Sequence, residues 1–116
     1  MNNRIDRINS EVRKAISTIV ANEIKDPRVN VFITITKVEV SADLSHCKVF
    51  VSLLGSEENN TQTFNILKSS SSYIRKSLSQ KLNMRITPEI HFFLDTSWEE
   101  GEKMDKLISK LNIPKE

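Results

Sequence analysis

Cysteine is almost missing from this chain of 116 residues: Cys47 stands alone, so no intrachain disulfide can form and no thiolate cluster can hold a structural metal. Glycine is nearly as scarce. Its two copies, Gly55 and Gly101, exclude the glycine-rich phosphate loops of nucleotide-binding enzymes. No apolar run approaches the length a bilayer requires, and the opening Met1-Asn2-Asn3-Arg4-Ile5-Asp6 lacks the apolar core of a signal peptide. The expectation is a cytoplasmic protein with no membrane contact. Internal repeats and long low-complexity tracts are absent as well. The length suits one domain, stabilised by packing rather than by cross-links.

The most informative absence is that of acid. Between Glu58 and Glu89 there is no carboxylate, yet Lys68, Arg75, Lys76, Lys81 and Arg85 fall in that stretch. The chain as a whole is nearly balanced, with 17 basic and 15 acidic residues, so a polyanion would be drawn to this segment in particular. At 3.6 residues per turn, Lys68, Ser72, Arg75 and Ser79 share one helical stripe, with Lys76 beside them. Short hydroxyl side chains between cations suit close approach to phosphates. The plainer reading of such a stripe is a solvated helix face.

What is present reads as alternating helices and strands. Ile5, Ile8, Val12, Ile16, Ile19, Val20 and Ile24 follow helical spacing, which predicts an amphipathic helix over 4–24, ended by Lys25-Asp26-Pro27. Residues 31–40, rich in β-branched side chains, read as a strand. Their apolar parity flips from Ile33 and Ile35 to Val38 and Val40, so a bulge or sharp twist is expected near Thr36 and Lys37. After a turn at 41–45, Cys47, Val49, Val51 and Leu53 alternate with polar neighbours as the second arm of a hairpin. Ser56 with Glu57 and Glu58 should open a helix at about residue 57, with Asn59 and Asn60 fraying its start. Phe64, Leu67, Ile74, Leu78 and Leu82 make one apolar face, interrupted by Ser69-Ser70-Ser71-Ser72. Either two helices meet there at a kink, or one continuous helix carries a small-residue notch. A third strand is expected over 84–94, with Met84, Ile86, Ile90, Phe92 and Leu94 on one face and Pro88 favouring an edge position or a bulge. Met104, Leu107, Ile108 and Leu111 suggest a last, acid-rich helix.

The order is therefore α-β-β-α-(kink)-α-β with an additional C-terminal helix, an α+β domain with a three-stranded mixed sheet and its helices on one face. It resembles the type II KH fold, a single-stranded RNA module that clamps the backbone with the turn between two helices. Residues 1–96 would form the KH-like RNA-binding domain and 97–116 its C-terminal helix and tail. Several blocks narrow the resemblance. Asp26-Pro27-Arg28-Val29, the run from Ile33 to Leu44, Lys48-Val49-Phe50-Val51-Ser52-Leu53-Leu54-Gly55, Tyr73-Ile74-Arg75, the run from Leu82 to Phe92, and Asp95-Thr96-Ser97 together resemble bacterial ribosome-binding factor A, in order and spacing, over nearly the whole chain.

That resemblance implies a non-enzymatic assembly factor. It would bind the free 30S ribosomal subunit, assist late maturation and 5′-end processing of 16S rRNA, and matter most in the cold. An assembly GTPase is a further implied partner, and a monomer is expected. The family usually carries Ala-x-Gly just before its aromatic-Ile-Arg, where this chain has Ser70-Ser71-Ser72, so a shallower kink is expected. Carried across, the RNA-binding residues would be Ser70, Ser71 and Ser72 at the kink and Arg75, Lys76, Lys81 and Arg85 on phosphates. Lys68 joins them on the stripe, and Arg4, Arg7 and Lys14 would extend the surface.

Enzyme readings fail on geometry, and no catalytic residue, cofactor or metal is expected. His46 and Cys47 are adjacent in a strand and point to opposite faces, so they cannot pair as base and nucleophile. His91 reads as a surface strand residue. Asp43 and Asp95 suit turn or cap roles better than an acid pair, and Ser69–Ser72 lacks the glycine-flanked elbow of a serine hydrolase. The other class of function is a protein-interaction module using the exposed sheet face near Phe50 and Phe93. Salt dependence separates the two, because phosphate binding falls steeply with ionic strength and apolar docking does not.

Overall fold

The computed structural model describes residues 3–29 and 31–95. Helix α1, Asn3–Glu23, buries Val12, Ile16, Ile19 and Val20 against strand β1 (Phe32–Val40) and helix α3 (Ser71–Leu82). The apolar stripe at helical spacing is what makes this burial possible. Past its end, Asp26 accepts the Arg28 amide at 2.9 Å and the Arg28 guanidinium at 2.6 and 3.0 Å, closing the turn before the sheet. The same contacts hold the Asp26 carboxyl at about 2.

Strand β1 pairs antiparallel with β2 (His46–Leu54), and β2 pairs in parallel with β3 (Glu89–Leu94), giving the order β1-β2-β3. The parity flip has the expected cause. Ile35 faces Val51 and Lys37 faces Phe50, so Thr36 is the extra residue of a bulge, and its hydroxyl donates to the Phe50 carbonyl at 3.2 Å. Beyond the bulge Val38 and Val40 turn into the core in place of the odd positions. In the hairpin turn Leu44 takes φ 62°, and Asp43 accepts bonds from the Ser41 and Ser45 hydroxyls and the Ser45 amide. Asp43 thus has a turn role.

Helix α2 spans Glu57–Ser69, and Ser56 caps it by accepting the Asn59 amide at 3.1 Å. The expected fraying at Asn59 and Asn60 does not occur, because Ser56 holds the first turn and the Asn60 side chain donates to the Leu53 and Gly55 carbonyls. Leu67, Ile74 and Leu78 are fully buried against the sheet, with Phe64 and Leu82 partly buried beside them. The three helices among the described residues cover one sheet face, the face of Cys47, Val49, Val51, Ile90 and Phe92.

The third strand is shorter than the apolar alternation suggests. It begins at Glu89, whose amide donates to the Ser45 carbonyl at 2.9 Å. Pro88 has no N–H to contribute to a ladder and is buried instead, and Ile86 and Leu94 are exposed rather than in the core. Asn83, at φ 50°, ends α3 in the left-handed region before this connection. The C-terminal helix expected around Met104, Leu107, Ile108 and Leu111 lies outside the described residues.

Candidate nucleic-acid interface

The break between α2 and α3 falls on Ser70, at φ −91° and ψ 2°. These torsions lie in the bridge region, which an L-residue reaches without glycine. The break therefore forms without a glycine. Three hydroxyls add bonds to carbonyls in the last turn of α2, where Ile66 also accepts the Ser70 amide at 3.0 Å. Ser69 and Ser70 donate to Ile66 at 3.0 and 2.8 Å, and Ser71 donates to Lys68 at 2.8 Å. Because each hydroxyl has one hydrogen, Ser70 and Ser71 have it committed to a backbone carbonyl and have none left to donate to a phosphate. No side chain caps the first turn of α3, and that turn carries no acid. An anion there would meet the positive end of the helix dipole.

The part of the stripe that falls on α3 lies beside this turn, and Lys68, on α2, is not with it. Ser72, Arg75, Lys76, Ser79, Gln80 and Thr87 line an open cleft of about 520 Å³. Arg75 is braced there: its Nε and Nη2 donate to the Thr87 carbonyl at 3.1 and 2.9 Å, which fixes the guanidinium while leaving other N–H groups free to point outward. Lys76 and Arg85 are exposed, and none of the ion pairs among the described residues uses either of them. A larger cleft of about 770 Å³ along α2 contains Glu57 and Glu58, so its charge suits a polyanion poorly.

Lys81 lies on another flank of α3. Tyr73, Ser77 and Lys81 recur every four residues, and all three reach Glu23 at the end of α1. The Tyr73 and Ser77 hydroxyls donate to Oε1 at 2.8 and 2.9 Å, and the Lys81 ammonium lies 3.4 Å from Oε2. These bonds, that from Tyr73 foremost, hold the Glu23 carboxyl below the usual carboxylate range, and the Tyr73 phenol is pushed up in turn. Glu23, Gln80 and Thr87 escaped sequence reading. The i, i+4, i+8 run of Tyr73, Ser77 and Lys81 was the available signal for a second polar flank.

The remaining candidates are dispersed. Lys68, on α2, sits 5.6 Å over the Phe64 ring. Arg4, Arg7 and Lys14 are exposed on α1, Arg4 beside Ala42 and Leu44 of the hairpin turn. On the sheet face away from the helices, Phe50 and Phe93 stack with centroids 5.5 Å apart. Cys47 faces the core, where burial pushes its thiol up to about 12, while His46 is exposed.

Comparison with known proteins agrees with this architecture. The family model described as ribosome-binding factor A matches residues 4–108. The ribosome-binding factor A of Acetivibrio thermocellus is 46% identical over 107 residues, covering 92% of this chain and 87% of that relative. The crystal structure of ribosome-binding factor A from Thermus thermophilus superposes with a TM-score of 0.65 at 21% identity, over 78% of this chain and 93% of that one. A homology model of the Thermus thermophilus factor, fitted into a cryo-electron microscopy map of its complex with the 30S subunit, gives a TM-score of 0.61 at 22% identity, over 76% of this chain and 91% of that one. With the family's sequence blocks and its fold both present, this chain belongs to the ribosome-binding factor A family.

Proposed function

We propose that this protein is a cytoplasmic, non-enzymatic ribosome assembly factor that binds the free 30S subunit through 16S rRNA. It assists late maturation and 5′-end processing of that RNA, with its largest effect at low temperature. The observation that carries the RNA contact is the unneutralised cleft of Ser72, Arg75, Lys76 and Ser79 beside the uncapped start of α3. A phosphate oxygen seated there would meet the positive end of the helix dipole and the charge of Lys76, with Arg75 held in place by Thr87. The Thermus relative's complex with the 30S subunit supports the choice of partner.

Sedimentation of the purified protein with separated subunits tests the reading. It should migrate with free 30S subunits and not with 50S subunits or translating ribosomes, and a strain without it should accumulate 16S precursor in the cold. Equal association with every fraction would leave only a nonspecific basic protein. A second reading is a protein-docking role for the open sheet face, favoured by the stacked Phe50 and Phe93 with Phe93 42% exposed. Binding to the subunit that persists unchanged at high salt would point to it.

A further inference from the structure

We propose that His46, His91 and Glu89 form a binding site for a divalent transition-metal ion of the zinc type on the sheet face turned away from the helices. Parallel pairing of β2 and β3 sets His46 opposite Glu89, and His91, two residues further along β3, projects from the same face. Two histidines 45 residues apart in sequence thereby come within contact. His46 Nδ1 lies 3.1 Å from His91 Nε2 and 3.5 Å from Glu89 Oε2. The three ligand atoms all lie within 4.8 Å of one another.

Those spacings are what a tetrahedral ion needs. With metal–nitrogen and metal–oxygen bonds of about 2.0–2.2 Å, neighbouring ligand atoms sit about 3.3–3.6 Å apart. Two of the three edges are already close to that value, and the third closes by rotation of exposed side chains. Two imidazoles with one carboxylate suit zinc, nickel or copper and not magnesium or calcium, which prefer all-oxygen shells. Three protein ligands leave one position open to water or to an oxygen of a bound partner. The donors also span the start of β3, so the ion would clip this short edge strand to β2 at the point where the chain enters the sheet. Cys47 contributes nothing here, because it points into the core on the opposite face.

The test is a titration of the tag-free full chain with zinc chloride, followed by calorimetry and by long-range proton–nitrogen spectra of the imidazoles. His46 and His91 are the only histidines in the chain, so both signals are assigned by one substitution. One equivalent should bind, both imidazoles should shift together, and the melting temperature should rise. His91→Gln and Glu89→Gln, at exposed positions, should each weaken binding by at least the about tenfold that losing even an outer-shell partner costs, and His91→Gln should abolish the thermal shift. Excess magnesium should leave the imidazoles unmoved. Imidazole signals that ignore excess zinc, or a His91→Gln protein that folds normally and binds zinc as wild type does, would overturn the proposal.

Discussion

Helix α3 carries two polar flanks, each with hydroxyls and at least one cation, and tertiary structure treats them in opposite ways. On one, Tyr73, Ser77 and Lys81 converge on Glu23, supplied by α1 from 50 to 58 residues away. On the other, Ser72, Arg75, Lys76 and Ser79 line a cleft in which Arg75 is braced by a neutral carbonyl and Lys76 is left without a counter-charge among the described residues. Positive charge in a sequence is therefore not a binding surface until the fold has decided which cations it neutralises. The first flank fastens α1 to α3; the second is available to an anion from outside.

The strongest way to break the comparison is to remove the core beneath both flanks. Ile74 is fully buried under α3, and Ile74→Ala should cost about 2–5 kcal/mol. Chemical denaturation should show this loss, with subunit binding falling alongside it.

A cleaner separation comes from charge reversal on the open side. Lys76→Glu with Arg85→Glu should keep the wild-type melting temperature, weaken subunit binding and flatten log affinity against log salt by about two units. An unchanged salt slope in a folded double variant would reduce the cleft to a solvated face and send the search to Arg4, Arg7 and Lys14. Arg75 is the poorer choice for this experiment, since its loss also releases the Thr87 carbonyl.

Lys81→Glu should give the reverse pattern. It sets a second carboxylate beside Glu23, so thermal stability should fall while the salt slope of binding stays near that of the native protein.

The smallest effect is a pH dependence. The folded-state pKa of Glu23 is depressed below 4.5, so its contribution to stability is complete above that value and is lost as pH falls through the folded-state pKa. Asp26 and Asp43, each lowered from 3.8 to about 2, act in an overlapping range. The informative quantity is thus the difference between native protein and Glu23→Gln: a shallower acid limb in denaturation-monitored stability, with no change in subunit binding at neutral pH.

Much of the architecture was legible because it rests on short-range periodicity. The α1 stripe, the parity flip that announced the Thr36 bulge, and the Ser56 cap are all written within a few residues of where they act. The third strand misled for the same reason. Alternation at Met84, Ile86 and Ile90 looks continuous, yet Pro88 cannot donate to a ladder and Asn83 turns the chain through a left-handed residue. At the kink the sequence left two readings open, a break or a notch, and the structure shows a break at Ser70, with the Ser69–Ser71 hydroxyls bonded to carbonyls of the last α2 turn.

By itself, then, the sequence determined helix α1, the β1–β2 hairpin with its bulge, the start of α2 and the segment that concentrates positive charge, since period and composition act locally. Only the tertiary structure decided that Glu23 would neutralise Lys81 and not Lys76, that Thr87 would brace Arg75, and that His46 would meet His91. Each of those outcomes depends on how α1 packs against α3 and on the register of β2 with β3, and such distant pairings arise from burial of the shared core rather than from any neighbouring residue.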